Sequence, residues 1–182
     1  MSATMKNENE VFKILRDSSL AGLEYVLGKK NGVEVMRFAQ ASFTYSDNLI
    51  LLNHILTDRE GWQAVHYKQL LGAEKRTDEW IENQHWQFTA LKRMRQEDTT
   101  STLAADDLAN ALILWFNGKG IYDLKSRGIS NLLIDPHEIF VYNDDSNLYQ
   151  RRIVFTMKVL VPKEFSGSVD TVGALEWETH PV

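Results

Sequence analysis

The feature that most constrains this chain is a period-two run between Glu79 and Leu91. Trp80, Glu82, Gln84, Trp86, Phe88 and Ala90 fall on one side, and Ile81, Asn83, His85, Gln87, Thr89 and Leu91 on the other. Alternation over that length is the signature of an extended strand. A strand lying on one core shows a clean apolar side, and one buried on both faces reads as a continuous apolar run. Here both sides are mixed. The strand is therefore expected to outgrow its own core and to meet a partner or solvent over part of its length.

A second long run answers it. From Tyr149 to Val161, Ile153, Phe155, Met157, Val159 and Val161 alternate with Arg152, Val154, Thr156, Lys158 and Leu160. Shorter strand patterns stand at Val33–Phe38, Asn131–Ile134 and Glu138–Tyr142. Asn48–Thr57 is more continuously apolar and suits a strand covered on both faces. Asp58–Gly61 has turn composition, so Trp62–Gln69 is expected to return as the second arm of a hairpin. Gly72–Asp78 reads as a charged loop.

Helical periodicity occurs twice. Val11, Ile14, Leu15, Ala21, Tyr25 and Val26 form a stripe from about Glu10 to Leu27, stopped by Gly28. Leu108, Ala111, Leu112, Trp115 and Phe116 follow the i, i+3, i+4, i+7, i+8 pattern within a helix spanning Thr102–Asn117, with Asp106 and Asp107 near its positive end. Two main helices against one mostly antiparallel sheet make an α+β domain. At 182 residues the chain is sized for one domain. The expected organisation is a flexible polar leader over 1–9, a single α+β domain over 10–162 and an extended C-terminal tail over 163–182.

Chemistry is sparse. The absence of cysteine removes disulfide frameworks, thiolate metal sites and cysteine nucleophiles. His54, His66, His85, His137 and His180 are scattered without metal-ligand spacing, so no metal is expected. Gly118-Lys119-Gly120 follows a helix and lacks phosphate-loop spacing, and Ser166-Gly167-Ser168 lacks a nucleophile-elbow context. Asp106/Asp107 read as helix-start acids and Asp144/Asp145 as a solvated turn. No catalytic residue, cofactor or membrane span is expected. With a net charge of −5 and no basic segment, tight duplex binding is not expected either. Two basic clusters stand out, Lys92 with Arg93 and Arg95, and Arg151 with Arg152. Either can be a solvated strand end or a salt-bridging surface. Of five tryptophans, one or two on the long strands, Trp86 among them, are candidate interface anchors.

The order of elements resembles the phage neck or tail terminator family, proteins that cap the head-proximal end of a tail tube. The resemblance runs over residues 8–162. It is carried by the opening helix to Leu27, the apolar strand Asn48–Thr57, the Gly61-Trp62 turn, the strand Glu79–Leu91, the helix Thr102–Asn117, the segment Gly120–Leu133 and the Arg-rich start of Gln150–Val161. It implies a non-catalytic virion protein, assembled in the host cytoplasm, that forms a ring with itself, commonly a hexamer. Such a ring stops tube polymerisation, meets the tail tube protein and the head-completion proteins, and lets DNA pass through its lumen. A closed ring needs unlike patches that meet head to tail. Arg93, Arg95, Arg151 and Arg152 are expected on one such patch, facing Asp144 and Asp145 of a neighbour. Two other classes stay open: a different virion part such as a head–tail adaptor or baseplate component, and a small ligand-binding or enzymatic α+β domain.

Overall fold

The computed structural model describes residues 2–4, 6–28, 32–38, 48–70, 73–95, 104–133, 138–143 and 148–169. Along the chain come β1 (Ser2–Thr4), α1 (Glu8–Leu27), β2 (Val33–Arg37), β3 (Asn48–Leu70), β4 (Ala73–Arg95), α2 (Ala105–Asn117), α3 (Lys119–Ser126), β5 (Ser130–Leu133), β6 (Glu138–Asn143) and β7 (Leu148–Val169). The strands make one seven-stranded sheet in the order β1-β7-β4-β3-β2, with β5 and β6 also paired to β7. Among the described residues every strand pairing is antiparallel except β2 with β3. The fold is α+β.

The sheet is built on three very long strands. β3 and β4 have 23 residues each and β7 has 22, roughly 75 Å of chain at about 3.3 Å per residue. β4 pairs with β7 from Glu74–Val169 to Arg95–Leu148. On its other edge β7 takes β6, β5 and β1 in turn.

The helices lie on one face. Ile50 and Leu52 of β3, Trp86, Phe88 and Ala90 of β4, and alternate residues Ile153 to Val161 of β7 form that face of the core. Val11, Leu15 and Leu23 of α1, with Leu108, Leu112 and Phe116 of α2, close it from above. Phe88 anchors the stack, 4.8 Å centroid to centroid from Phe155 and 5.5 Å from Phe116. Such offset and edge-to-face ring pairs add to the burial energy of the rings themselves.

Local chemistry sets the helix ends. Asn7 Oδ1 accepts from Glu10 N at 2.9 Å, while Glu10 Oε2 accepts from Asn7 N at 2.8 Å, a reciprocal capping box that starts α1. Gly28 ends α1 at φ 73°, in the left-handed region that favours glycine. In α2, Asp107 Oδ2 accepts from Ala104 N at 2.8 Å; Thr100, Ser101 and Thr102, the expected cap candidates, lie outside the described residues. α1 and α2 approach closely because Gly22 leaves room for the Trp115 side chain, which a Cβ there would strike. Trp115 Nε1 also donates to Ser18 Oγ at 3.1 Å. Gly120 opens the other side of the same slot.

Several sequence expectations are corrected. The 1–9 leader is not structureless: residues 2–4 pair with β7 and α1 begins at Glu8. Asp58–Gly61 does not turn the chain; β3 runs through it, with register irregularities between His54 and Leu56 and between Glu60 and Ala64. The charged stretch Ala73–Asp78 is strand rather than loop. Gly118 ends α2 as expected, but α3, a helix the sequence did not signal, starts at once at Lys119. β7 continues past Pro162 to Val169, so the first seven residues assigned to a tail belong to the sheet.

Candidate functional site

The helix layer is shorter than the sheet beneath it. Among the described residues, none of the main core cluster lies beyond Leu52 on β3, before Trp86 on β4 or after Val161 on β7. The remainder of β3, β4 and β7, with β1 along its side, projects as an arm of sheet. Inside that arm Ile55, Leu56, Val65 and Ile81 are 48%, 44%, 41% and 45% exposed. By register, Leu56 (opposite His85) shares one face of the arm with Ile81, and Val65 (opposite Asp78) is on the other, so both faces of the arm carry exposed apolar side chains.

The arm also offers backbone. β2 pairs with β3 only over Asn48–Leu52, and Phe38 N adds one bond to Leu52 O. From Asn53 to Leu70 no described strand pairs with the outer edge of β3. The opposite edge of the arm is made differently, by β7 and the three residues of β1. An unpaired strand edge is a row of donors and acceptors ready to take another strand.

Polar contacts keep the arm extended. Lys163, although 8% exposed, is ion-paired to Glu82 at 3.2 Å and donates to the Lys6 carbonyl at 2.5 Å. Lys6 Nζ reaches Gly128 O at 3.0 Å, so the strap before α1 ties the arm to the end of α3. Arg76 holds Asp78 at 2.8 Å, and the Arg59 guanidinium lies 5.2 Å from the Trp80 ring centre.

A cluster at the root of the arm joins it to α1. The His54 ring stands 5.1 Å from that of Trp86, its Nδ1 lies 3.3 Å from Glu8, and its Nε2 lies 2.8 Å from Thr57 Oγ1. Arg37 pairs with the same Glu8 and donates to Asn9 Oδ1 at 2.6 Å. Burial lowers the His54 pKa from its ordinary value; a backbone hydrogen bond at Leu56 opposes this, and the electrostatic influence of Arg37 and of the neighbouring His85 ring adds to it.

The expected site residues fall in other places. Trp86 is fully buried between Phe12 and His54 and donates to Gln84 Oε1 at 3.1 Å. It is a core residue and not an interface anchor. The four arginines are brought together at the end of the sheet opposite the arm. There Lys92 pairs with Arg151, Leu91 with Arg152 and Arg93 with Gln150, while Arg95 is opposite Leu148. The two basic clusters of the sequence are thus one basic end of the β4–β7 ladder. Asp144 and Asp145 lie outside the described residues. The arm edge escaped the sequence reading, although the mixed faces of the Glu79–Leu91 run were its signal.

Among the described residues, no three histidine, aspartate or glutamate side chains converge as metal ligands. No described helix is long and apolar enough to cross a membrane. Comparison of the sequence with models of known families and with curated proteins gives no match.

Proposed function

We propose that this chain is a structural subunit of a phage virion, one that assembles with copies of itself into a ring capping the head-proximal end of a tail tube and joining it to the neck. The observation that carries the reading is the arm and its two unlike edges, β3 on one side and β1 with β7 on the other. An isologous dimer needs one self-complementary patch, whereas head-to-tail contacts between unlike patches propagate and close into a ring when the rotation allows. Strand addition across those edges would satisfy the outer backbone of β3 beyond Leu52 and set a neighbour's side chains beside Ile55, Leu56 and Val65. The basic end formed by Arg93, Arg95, Arg151 and Arg152 is the second contact surface, meeting acidic segments such as Asp144-Asp145 of a neighbour. The tail tube and head-completion proteins are the partners this reading names, with the virion tail or neck as its location.

Native mass spectrometry of the purified chain tests the assembly directly. A ring-sized oligomer is expected, which Arg151→Glu weakens and Val65→Lys with Ile81→Lys reduces to monomer, each without loss of circular dichroism. A wild-type chain that stays monomeric at high micromolar concentration would overturn the reading. Deleting the gene from its parent genome tests the role: electron micrographs should show overlong tubes, or full heads beside unattached tails. Normal particles at normal titre would exclude it.

A further inference from the structure

The outer surface of the helix layer holds apolar side chains that the core does not use. Tyr25 at the end of α1 and Tyr122 on α3 are 58% and 74% exposed. The first is tied to the neighbouring helices: its ring centre is 5.6 Å from that of Trp115 and 4.4 Å from Lys119 Nζ. Lys119 and Tyr122 are one turn apart on α3, and Lys125 follows on the same short helix. Neither lysine is ion-paired to a described carboxylate, whereas Arg127 is taken up by Asp123 at 3.1 Å. The result is an aromatic, cationic surface, the complement of an acidic apolar peptide.

The sequence contains one such peptide. Residues 170–182 hold Asp170, Glu176 and Glu178 and no lysine or arginine, and Leu175 and Trp177 stand among those acids. We infer that segment 170–182 of one copy docks on the Tyr25–Tyr122 surface of a second copy, with Leu175 and Trp177 on the aromatics and Glu176 and Glu178 toward Lys119 and Lys125. The second copy is required by reach. β7 ends at Val169 opposite Glu74, at the far end of the arm. Leu175 and Trp177 are six and eight residues further on, at most about 20 and 26 Å of extended chain. The way back along β7 to Lys163, the level at which Lys6 ties the arm to α3, uses about 20 Å of that before the helix surface is reached. A neighbour whose helix layer stands beside the arm tip brings the surface within range. The inference rests on the assembly reading only for the position of that neighbour.

The natural chain has no cysteine, so disulfide trapping reads the contact in full-length protein. A chain carrying Leu175→Cys is mixed with one carrying Tyr122→Cys under mild oxidation, with Asn110→Cys on the exposed side of α2 as the control partner. The expected result is a heterodimeric disulfide at Tyr122 well above the control, slowed roughly fivefold by Lys119→Glu, the scale of one partly exposed ion pair, and slowed again by high salt. Equal trapping at Tyr122 and Asn110 overturns the inference, as does a double variant of one chain that closes on itself as a monomer. Native mass spectrometry of the wild type separates the two failures. A ring without trapping removes this contact alone, and trapping without a ring keeps the contact and removes the ring.

Discussion

The same three strands behave as two materials. At one end Ile50, Leu52, Phe88 and Phe155 are at most 1% exposed beneath the helices; at the other Ile55, Leu56, Val65 and Ile81 are 41% to 48% exposed. The ladder hydrogen bonds run through both halves. Pairing among the three long strands therefore does not distinguish the halves; helix cover does, together with the outer edge of β3 beyond Leu52, which no described strand takes. The half with a helix layer is a domain core; the half without one has the makings of an interface, held extended by ion pairs such as Lys163–Glu82.

The largest expected effect breaks the covered half. Phe88→Ala should cost about 3–5 kcal/mol, through lost burial and the cavity left beside Phe116 and Phe155; thermal melting of the purified chain reads it. Gly22→Ala comes next. It presses a methyl group onto Trp115 and should cost about 1–3 kcal/mol of overpacking, seen as a lower denaturant midpoint with an unchanged slope. Acid should then act at the joint between the halves. His54 is held below its unfolded value of 6.5, so between the two values the unfolded chain binds more protons. Its contribution is complete above pH 6.5 and falls as pH drops through that value toward the folded one. Urea titrations from pH 7.5 to 5 should show that loss, and His54→Gln should flatten it. The smallest effect on stability belongs to the arm. Ile81→Lys should move the melting free energy by no more than about 0.5 kcal/mol, while together with Val65→Lys it removes assembly. An equal loss of folding at Phe88 and Ile81 would abolish the distinction between the halves.

That contrast also explains what was legible in the sequence. Where a core is near, apolar periodicity is strong, and α1, α2, the Asn48 strand and the Tyr149 strand can be read directly. In the arm neither face needs to be apolar, so Asp58-Arg59-Glu60-Gly61 carries turn composition although the strand passes through it. Pro162 looked like a strand end for a related reason. It falls between the β5 pairing that ends at Leu160 and the β1 pairing that begins at Glu164, a stretch of edge where a missing N–H costs little. α3 was hidden because it buries only Gly120 and Leu124. Trp86 was misplaced because alternation gives the side of a strand but not which side the helices cover.

β7 pairs with four other strands, drawn from residues 2–4, 73–95, 130–133 and 138–143. On a ribosome it is also the last of them to be made. The hairpin of β3 and β4 can close early, because its partners are neighbours in sequence, but the inner edge of β4 and the whole of β1, β5 and β6 wait for residues 148–169. The β1–β7 and β4–β7 pairings close over long sequence separations, which slows folding, whereas β6 meets β7 as a near neighbour. Until β7 arrives, Trp86 and Phe88 lie on a sheet with one open flank, the state in which a nascent chain is most prone to pair with the wrong strand.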